Sequence, residues 1–381
     1  MPNMLDYLTW RGDLPIENAP WNEIDSLLMS ALAYCSLDES VQGAQGRPLR
    51  DVPVKPCRQE KDLPFFEHCR ELHGLLAQTA RFGGLTLHHS VEMWDPEREM
   101  QFAAVSIDLP DGTCCIAYRG TDSTLMGWRE DFAMAYETAV PAQQEALTYL
   151  ERISMERSGG LILCGHSKGG NLAVFAAAQA SEKARSQLKS VYSFDGPGLN
   201  TQLLTTPGYE SIRPLIRSYV PQSSVVGLLL GYHPEYTVVR AKAISLLQHD
   251  PFTWQLQGPR FEQVEQVDLA SQLMDETVRE WLAASTPQQR EAFVDAVFSI
   301  LEATGATTVN QILDEKFRSG AVMAIASLSL DGETRKMLLQ LVGQFIRIGT
   351  TNLWERLIQR PMELLGMEDK ATDENGTEEQ I

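Results

Sequence analysis

Short apolar runs alternate with amphipathic stretches through the middle of the chain. Two runs rich in β-branched and aromatic residues, 102–109 and 113–118, flank Pro110-Asp111-Gly112 and predict two strands joined by a tight turn. A helical pattern covers 142–155, and a small-residue helix is predicted at 170–184. Further strands are predicted at 161–164, 190–194, 212–220 and 236–240. Because strands alternate with helices, we expect an α/β fold with a mostly parallel sheet flanked by helices.

The two ends of the chain carry helical patterns instead. Asn22 is a plausible cap for a helix whose apolar residues begin at Ile24, and a second helix is predicted at 64–79, after a loop at 42–62. Beyond about residue 264 the strand signals fade, and amphipathic segments at 286–305, 309–317 and 336–348 predict helices. We therefore predict a main domain over 1–259 with an N-terminal helical segment, a helical region over 260–367, and a disordered acidic tail over 368–381.

Composition narrows the class of partner. The chain has 381 residues, of which 43% are hydrophobic and 22% charged, as is ordinary for a globular protein. Its 51 acidic residues outnumber its 32 basic ones and give a net charge of −19. This balance argues against a nucleic acid or an anionic membrane as partner.

Cysteine usage and hydropathy add little chemistry. The six cysteines have no metal-type spacing, and adjacent Cys114 and Cys115 are expected to point to opposite faces of a strand. No metal or organic cofactor is predicted. We see neither a signal peptide nor a run approaching the ~18 apolar residues of a membrane span, so a reduced, cytoplasmic protein is expected.

The most informative segment is LILCGHSKGGNLAVFAA at 161–177. An apolar strand stops at Gly165-His166-Ser167-Lys168-Gly169, and a helical pattern follows. This is G-x-S-x-G between a strand and a helix, the context of a nucleophile elbow in the α/β-hydrolase fold. Strain at such a turn projects the serine hydroxyl out of the sheet edge, so Ser167 is the predicted nucleophile.

A serine nucleophile needs a general base, and in this fold the histidine follows the serine along the chain. His233 and His249 are the two histidines downstream of Ser167. His249 lies past the last predicted strand, on a segment that can return to the elbow, whereas His233 precedes that strand. We therefore predict that His249 is the base.

The acid has several candidates. Asp195 ends a predicted strand in VYSFDGPG, so its side chain is expected at the same sheet edge as Ser167. A turn-capping role beside the following glycines is the alternative for this residue. The next strand ends at Ser223 and Ser224, where many proteins of this fold carry an acid, and Asp250 is adjacent to His249. We predict that Asp195 is the residue that orients the imidazole.

Oxyanion stabilisation is expected from two backbone amides. One belongs to Lys168, the residue after the nucleophile. The other is assigned to Thr121, in a loop where Gly120 permits a sharp turn after the predicted strand.

Two motifs carry a resemblance to known families. IAYRGTDSTLMGWREDF at 116–132 and the elbow segment are similar to the F-R-G-T…W…D and G-H-S-x-G-G-x-L-A segments of class 3 lipases. Over most of residues 3–256 the chain resembles the bacterial Mbeg1-like family of lipase-like proteins, through DYLTWRGDL, NEIDSLLMSALAY, YVPQSSVVGLLLGY and LLQHDPFTW. The resemblance implies the same roles for Ser167, Thr121 and His249. Class 3 lipases carry their acid at the position matching Gln222–Val226, where this chain has serines. The resemblance also implies that three residues support the oxyanion loop through an arginine–carboxylate clamp and packing: Arg119, Trp128 and Asp131.

These features predict a serine hydrolase that cleaves small-molecule carboxylic (acyl or lipid) esters of modest to long chain through an acyl-enzyme on Ser167. A thioesterase or an acyltransferase would use the same groups. From a different class, the serines at 223 and 224 leave open a hydrolase-fold protein that has lost catalysis and serves as an interaction module. Substrate chain length and oligomeric state are left open.

Overall fold

The computed structural model describes residues 2–55, 64–228, 230, 235–303 and 305–308, with the single positions 311, 336 and 339. In chain order, the strands of this part are β1 (Ser36–Leu37), β2 (Arg47–Pro48), β3 (Val54–Lys55), β4 (Thr86–Asp95), β5 (Met100–Asp108), β6 (Cys114–Tyr118), β7 (Leu161–His166), β8 (Leu188–Phe194), β9 (Ile216–Pro221), β10 (Thr237–Val239), β11 (Leu256–Gln257), β12 (Arg260–Phe261) and β13 (Gln263–Val264). The helices are α1 (Met4–Arg11), α2 (Glu23–Leu32), α3 (Pro64–Gln78), α4 (Leu125–Ala133), α5 (Pro141–Glu156), α6 (Lys168–Gln179), α7 (Glu182–Gln187), α8 (Thr201–Leu204), α9 (Pro207–Ile212), α10 (Leu269–Ala284) and α11 (Pro287–Ala303).

A mixed sheet forms the centre of the described chain. Its order is β13-β10-β9-β8-β7-β6-β5-β4-β2. The strands from β6 to β10 run parallel, whereas β2, β4 and β5 at one end and β13 at the other are antiparallel. The predicted α/β class is therefore confirmed, with antiparallel additions at both ends of the parallel centre.

Strand register fixes the edge at which the elbow lies. Tyr118 of β6 is opposite Gly165 of β7, and His166 is opposite Phe194 of β8. The carboxyl ends of three neighbouring parallel strands therefore meet at one edge. In open α/β sheets this is the edge at which ligands bind.

The sequence pattern gave no sign of strand β4. Its register shifts between His88 and Val91, and His89 takes a positive φ of 51°. A bulge of this kind interrupts the alternation of polar and apolar residues by which a strand is recognised.

Helices cover both faces of the sheet and divide the core in two. Apolar residues of α1, α2 and α3 pack on one face, and those of α5, α6 and α9 pack on the other. Cys115 belongs to the first cluster and Cys114 to the second, as expected for neighbours in a strand. The side chain of Asn22 accepts from two backbone amides at the start of α2, which confirms the predicted cap.

The N-terminal layer contains a buried ion pair between Asp25 and Arg81. Both side chains are 0% exposed. The Tyr7 hydroxyl donates to Asp25 Oδ1 over 2.8 Å, and Arg81 also donates to the Ala19 carbonyl over 2.8 Å. Removing one partner of a satisfied buried pair leaves the other charge uncompensated, so this pair fixes how α1, α2 and the segment after α3 pack together.

The described part of the region after residue 260 is partly sheet and partly helix. Strand β13 pairs with β10, and α10 begins only at Leu269. Helix α11 packs on α4 through Leu125, Val294 and Phe298. Positions 311, 336 and 339 apart, the helices predicted at 309–317 and 336–348 and the tail at 368–381 lie outside the described residues. The division into domains therefore stays a prediction. No helix of the described chain is long and apolar enough to cross a membrane.

Candidate active site

Ser167 occupies a strained turn between β7 and α6. Its φ is 57°, and its amide donates to the Phe194 carbonyl over 2.9 Å. A Cβ at Gly165 would lie 2.1 Å from the Gly169 carbonyl carbon, and one at Gly169 would lie 2.2 Å from the Tyr118 carbonyl oxygen. Only glycine fits at both positions, so this sequence permits the close approach of β6, β7 and α6 that the turn requires.

Asp195 and His249 come together beside this turn. His249 Nδ1 lies 2.6 Å from Asp195 Oδ2, with the carboxylate side chain 1% exposed and the imidazole 28% exposed. Asp195 follows β8 directly and has a φ of 49°. His249 ends the short 3-10 helix Ser245–His249, beyond β10. A buried carboxylate is thus hydrogen-bonded to one ring nitrogen, Nδ1. The other nitrogen, Nε2, can reach solvent or a substrate.

The second oxygen of Asp195 is held by the segment that follows β9. The Ser224 hydroxyl donates to Asp195 Oδ1 over 2.6 Å, and the Gly227 amide donates to the same atom over 3.1 Å. The Ser223 hydroxyl donates instead to Asp268 over 2.5 Å. The serine that stands where class 3 lipases carry an acid therefore supports a carboxylate that comes from the preceding strand.

His166 connects the elbow to the segment that carries His249. The two imidazole rings lie 4.6 Å apart between centroids, at an interplanar angle of 35°. His166 Nε2 lies 2.8 Å from the His249 carbonyl oxygen, and the Tyr34 hydroxyl lies 3.1 Å from Nδ1. Since a carbonyl only accepts, Nε2 carries the hydrogen and Nδ1 accepts from Tyr34. Burial, together with the neighbouring His249, lowers the pKa of His166 well below its ordinary value, so this ring is neutral.

No hydrogen bond joins Ser167 and His249 in this structure. Among the described residues, no group forms a hydrogen bond with Ser167 Oγ, and the side chain is 9% exposed. In enzymes without substrate, catalytic hydrogen bonds are often long and tighten when the complex forms. The ring of His166, the residue before Ser167, lies tilted against the His249 ring and donates to the His249 carbonyl, and these contacts keep His249 beside the elbow.

The loop after β6 lies against the elbow on the other side. A Cβ at Gly120 would lie 2.0 Å from the Tyr34 hydroxyl and 2.6 Å from the His166 carbonyl oxygen. Thr121 follows this glycine, and its hydroxyl donates to Asp131 Oδ2 over 2.5 Å. The predicted loop donor and Lys168 are therefore brought to the same edge of the sheet.

Two residues of this site were missed from the sequence. Lys168 is 1% exposed, and its Nζ lies 2.9 Å from Glu130 Oε2 and 3.1 Å from the Gln101 carbonyl. Neither Glu130 nor Gln101 carries a local signal, because their roles arise only once α4 and β5 pack beside the elbow.

The expected support of the oxyanion loop is only partly as predicted. Arg119 does pair with a carboxylate, but the partner is Glu92 of β4, over 2.6 Å, and lies outside the matching segment. Asp131 does hold the Thr121 side chain, whereas Trp128 is 37% exposed and is not a buried packing ring.

The remaining candidates fall away or lie outside the described chain. Asp250 Oδ1 accepts from the Phe252 amide over 3.0 Å and caps a 3-10 turn. His233 lies outside the described residues.

The structure thus defines an α/β protein with a strained serine, an imidazole and a buried carboxylate at one sheet edge. The family model of the Mbeg1-like proteins matches residues 76–299, more than half of the chain. The chain belongs to the Mbeg1-like family, which confirms the resemblance drawn from its sequence motifs.

Other comparisons are more distant. The crystal structure of M37 lipase is similar over 55% of this chain and 70% of its own, with 14% sequence identity and a TM-score of 0.36. At that score the likeness carries no weight in assigning a function. No curated protein matches the chain.

Proposed function

We propose that this protein is a serine ester hydrolase of the α/β-hydrolase fold that cleaves a small-molecule acyl ester. In this proposal Ser167 is the nucleophile, His249 is the general base, and Asp195 orients the imidazole. The observation that carries the proposal is the 2.6 Å contact between His249 Nδ1 and the buried Asp195 carboxylate, at the sheet edge where Ser167 takes its strained conformation.

Acylation begins when Ser167 Oγ attacks the ester carbonyl and His249 Nε2 accepts the hydroxyl proton. The Asp195 carboxylate, held by Ser224 and Gly227, stabilises the imidazolium without taking its proton. Collapse of the tetrahedral intermediate breaks the bond to the alcohol oxygen, and His249 returns the proton to that leaving group. Water, activated by the same imidazole, then attacks the acyl-enzyme and releases the acid.

The oxyanion of each tetrahedral intermediate is stabilised by the amides of Lys168 and Thr121. Removing one such donor typically costs about 3–4 kcal/mol of transition-state stabilisation. The close packing of Gly120 on the His166 carbonyl supports this assignment, because it brings the Thr121 loop next to the elbow.

Ser224 bears directly on the alternative that catalysis has been lost. That alternative rested on serines at the position where class 3 lipases carry an acid. Since the Ser224 hydroxyl donates to Asp195 Oδ1, the serine is compatible with an acid supplied from β8. The structure therefore favours the hydrolase over the interaction module.

Labelling with a fluorophosphonate tests this function. We expect the purified wild-type protein to be labelled and Ser167→Ala to remain unlabelled. Ser186→Ala is the matched control, because Ser186 is exposed and its hydroxyl bonds only locally to the Lys183 carbonyl. Wild-type protein that is folded and never labelled would rule the proposal out.

A further inference from the structure

The side chain after the nucleophile is a buried cation. Lys168 is 1% exposed although its amide lies at the start of α6, and its Nζ forms a 2.9 Å ion pair with the equally buried Glu130. A charge in this position is costly unless it is paired and hydrogen-bonded. The proposed chemistry uses only the Lys168 amide, so the ammonium needs a separate explanation.

Glu130 is fixed by two backbone amides besides the lysine. Its Oε1 accepts from the Ala142 amide over 2.8 Å, at the start of α5. Its Oε2 accepts from the Gln101 amide over 3.1 Å, and the Gln101 carbonyl accepts in turn from Lys168 Nζ over 3.1 Å. The ammonium is therefore held in one place by α4, α5 and β5 together.

Asp131 links this cation to the oxyanion loop. Its Oδ2 accepts from the Thr121 hydroxyl over 2.5 Å. Its Oδ1 lies 3.7 Å from Lys168 Nζ, is buried, and has no hydrogen-bond partner. The two residues whose amides form the proposed oxyanion hole are thus connected through their side chains by one carboxylate.

We propose that the Lys168 side chain is a positioning residue for the reaction: its charge keeps the Asp131 carboxylate in the ionised form that holds Thr121 in the oxyanion loop. This inference rests on the proposed function and assigns to the side chain of Lys168 a role distinct from that of its amide. In this inference Lys168 acts on the Asp131 carboxylate, and that carboxylate positions Thr121.

The charges around Asp131 oppose one another. The pKa of Asp131 is raised to about 6: burial raises it most, Glu130 and Asp122 also raise it, and Lys168 and the hydrogen bond from Thr121 lower it. For Lys168, burial lowers the pKa, but Glu130 and Asp131 raise it above its ordinary value, so the lysine stays charged. We therefore expect the Asp131 carboxyl to change its charge near pH 6, where the lysine stays protonated.

The sign of the pH effect follows from these charges. Protonation of Asp131 below about pH 6 removes the charged acceptor that Thr121 uses, so activity should fall there. Loss of the Lys168 charge removes its attraction for the ionised Asp131 carboxylate, so the ionisation of Asp131 moves to higher pH. Loss of the Glu130 charge removes its repulsion of the Asp131 carboxylate, so the ionisation of Asp131 moves to lower pH. A merely structural pair would not shift the ionisation in opposite directions.

The test is the acid limb of the kcat/KM profile for a p-nitrophenyl ester. We expect Lys168→Met to shift the acid limb to higher pH by about one pH unit and Glu130→Gln to shift it to lower pH. In an Asp131→Asn background neither substitution should move it, which separates Asp131 from the His249 ionisation. Lys168→Arg should restore the wild-type position. Shifts of equal sign for Lys168→Met and Glu130→Gln, or shifts that persist without Asp131, would overturn the inference.

A matched buried ion pair controls for loss of stability. Arg81→Met breaks the Asp25–Arg81 pair, whose side chains are as deeply buried but lie in the N-terminal layer. It should lower the melting temperature as Lys168→Met does, and leave the acid limb where it is. If the wild-type protein reacts with a fluorophosphonate but Lys168→Met shifts nothing, the inference alone fails. If the wild-type protein never reacts, the proposed function fails as well.

Discussion

In the described chain, two histidine–aspartate pairs lie at opposite edges of the same sheet, one beside the strained turn at Ser167 and the other beside the buried thiol of Cys114. His249 and Asp195 meet at the carboxyl ends of the parallel strands. His88 and Asp108 meet at the other edge, with 2.9 Å between Nε2 and Oδ1, where Asp108 is opposite Cys114 at the start of β6. Residue types and contact distances are nearly the same in the two pairs.

Exposure and charge distinguish the pairs. In the first, the carboxylate is 1% exposed and the imidazole 28%; in the second, the imidazole is 0% exposed and the carboxylate 30%. Arg157 lies 2.9 Å from both Asp108 Oδ2 and His88 Nε2. Burial raises the pKa of Asp108, but His88 and Arg157 lower it below its ordinary value. A base needs a buried orienting acid and a free nitrogen, and the His88 pair has neither.

The largest expected difference is between the two histidines. We expect His249→Gln to lower kcat for ester hydrolysis by about 10⁶-fold, since loss of the base in a serine hydrolase removes the activated nucleophile. His88→Gln should leave kcat within about twofold and lower the melting temperature, because its ring is buried in a hydrogen-bonded network. Comparable losses of kcat in both variants would remove the distinction between the edges.

The two aspartates give the next largest contrast. Asp195→Asn should reduce kcat by about 10⁴-fold, because an amide cannot hold the imidazole in the required tautomer. Asp108→Asn should keep its activity and lose stability. Steady-state kinetics on both variants makes the comparison; unchanged turnover in Asp195→Asn would mean that another residue orients His249.

A smaller effect is expected one step away from the imidazole. Ser224→Ala removes a 2.6 Å hydrogen bond to Asp195 and should lower kcat by about 10–100-fold. Ser223→Ala is the neighbouring control, because its hydroxyl bonds to Asp268. Equal kcat values for the two alanine variants would show that Ser224 does not support the acid.

The smallest effect concerns stability and pH. His166 is neutral when folded because its pKa is lowered, whereas the unfolded chain takes up a proton below about pH 6.5. The free energy of unfolding should therefore fall as pH drops below that value, with a contribution of up to about 1.4 kcal/mol per pH unit. Urea titrations should show a shallower acid dependence for His166→Asn, and an unchanged slope would contradict the neutral assignment.

The features predictable from the sequence were local ones. The elbow between β7 and α6 is set by glycines within five residues of one another, and the turn at Pro110–Gly112 by its own dihedral preferences. The position of Asp195 at the end of a strand was equally readable. Its partnership with His249 stays a prediction of function, although the contact itself is present.

Contacts between elements that are distant in the sequence account for the features that the sequence did not reveal. Ser224 supports Asp195 only because β9 lies next to β8, and Glu130 reaches Lys168 only because α4 packs beside the elbow. Neither neighbour relation follows from hydrophobic periodicity, which fixes the face of an element and not the identity of its partner. The bulged strand β4 was missed because its pattern is broken at His89.

Trapping the acyl-enzyme tests the central claim most directly. The protein would be mixed with a p-nitrophenyl ester, quenched in acid within the first turnover, and digested for peptide mass spectrometry. We predict an added acyl group on the peptide that contains Ser167, and none in Ser167→Ala. Ester turnover with the acyl group on another residue, or with no adduct at any quench time, would contradict the account.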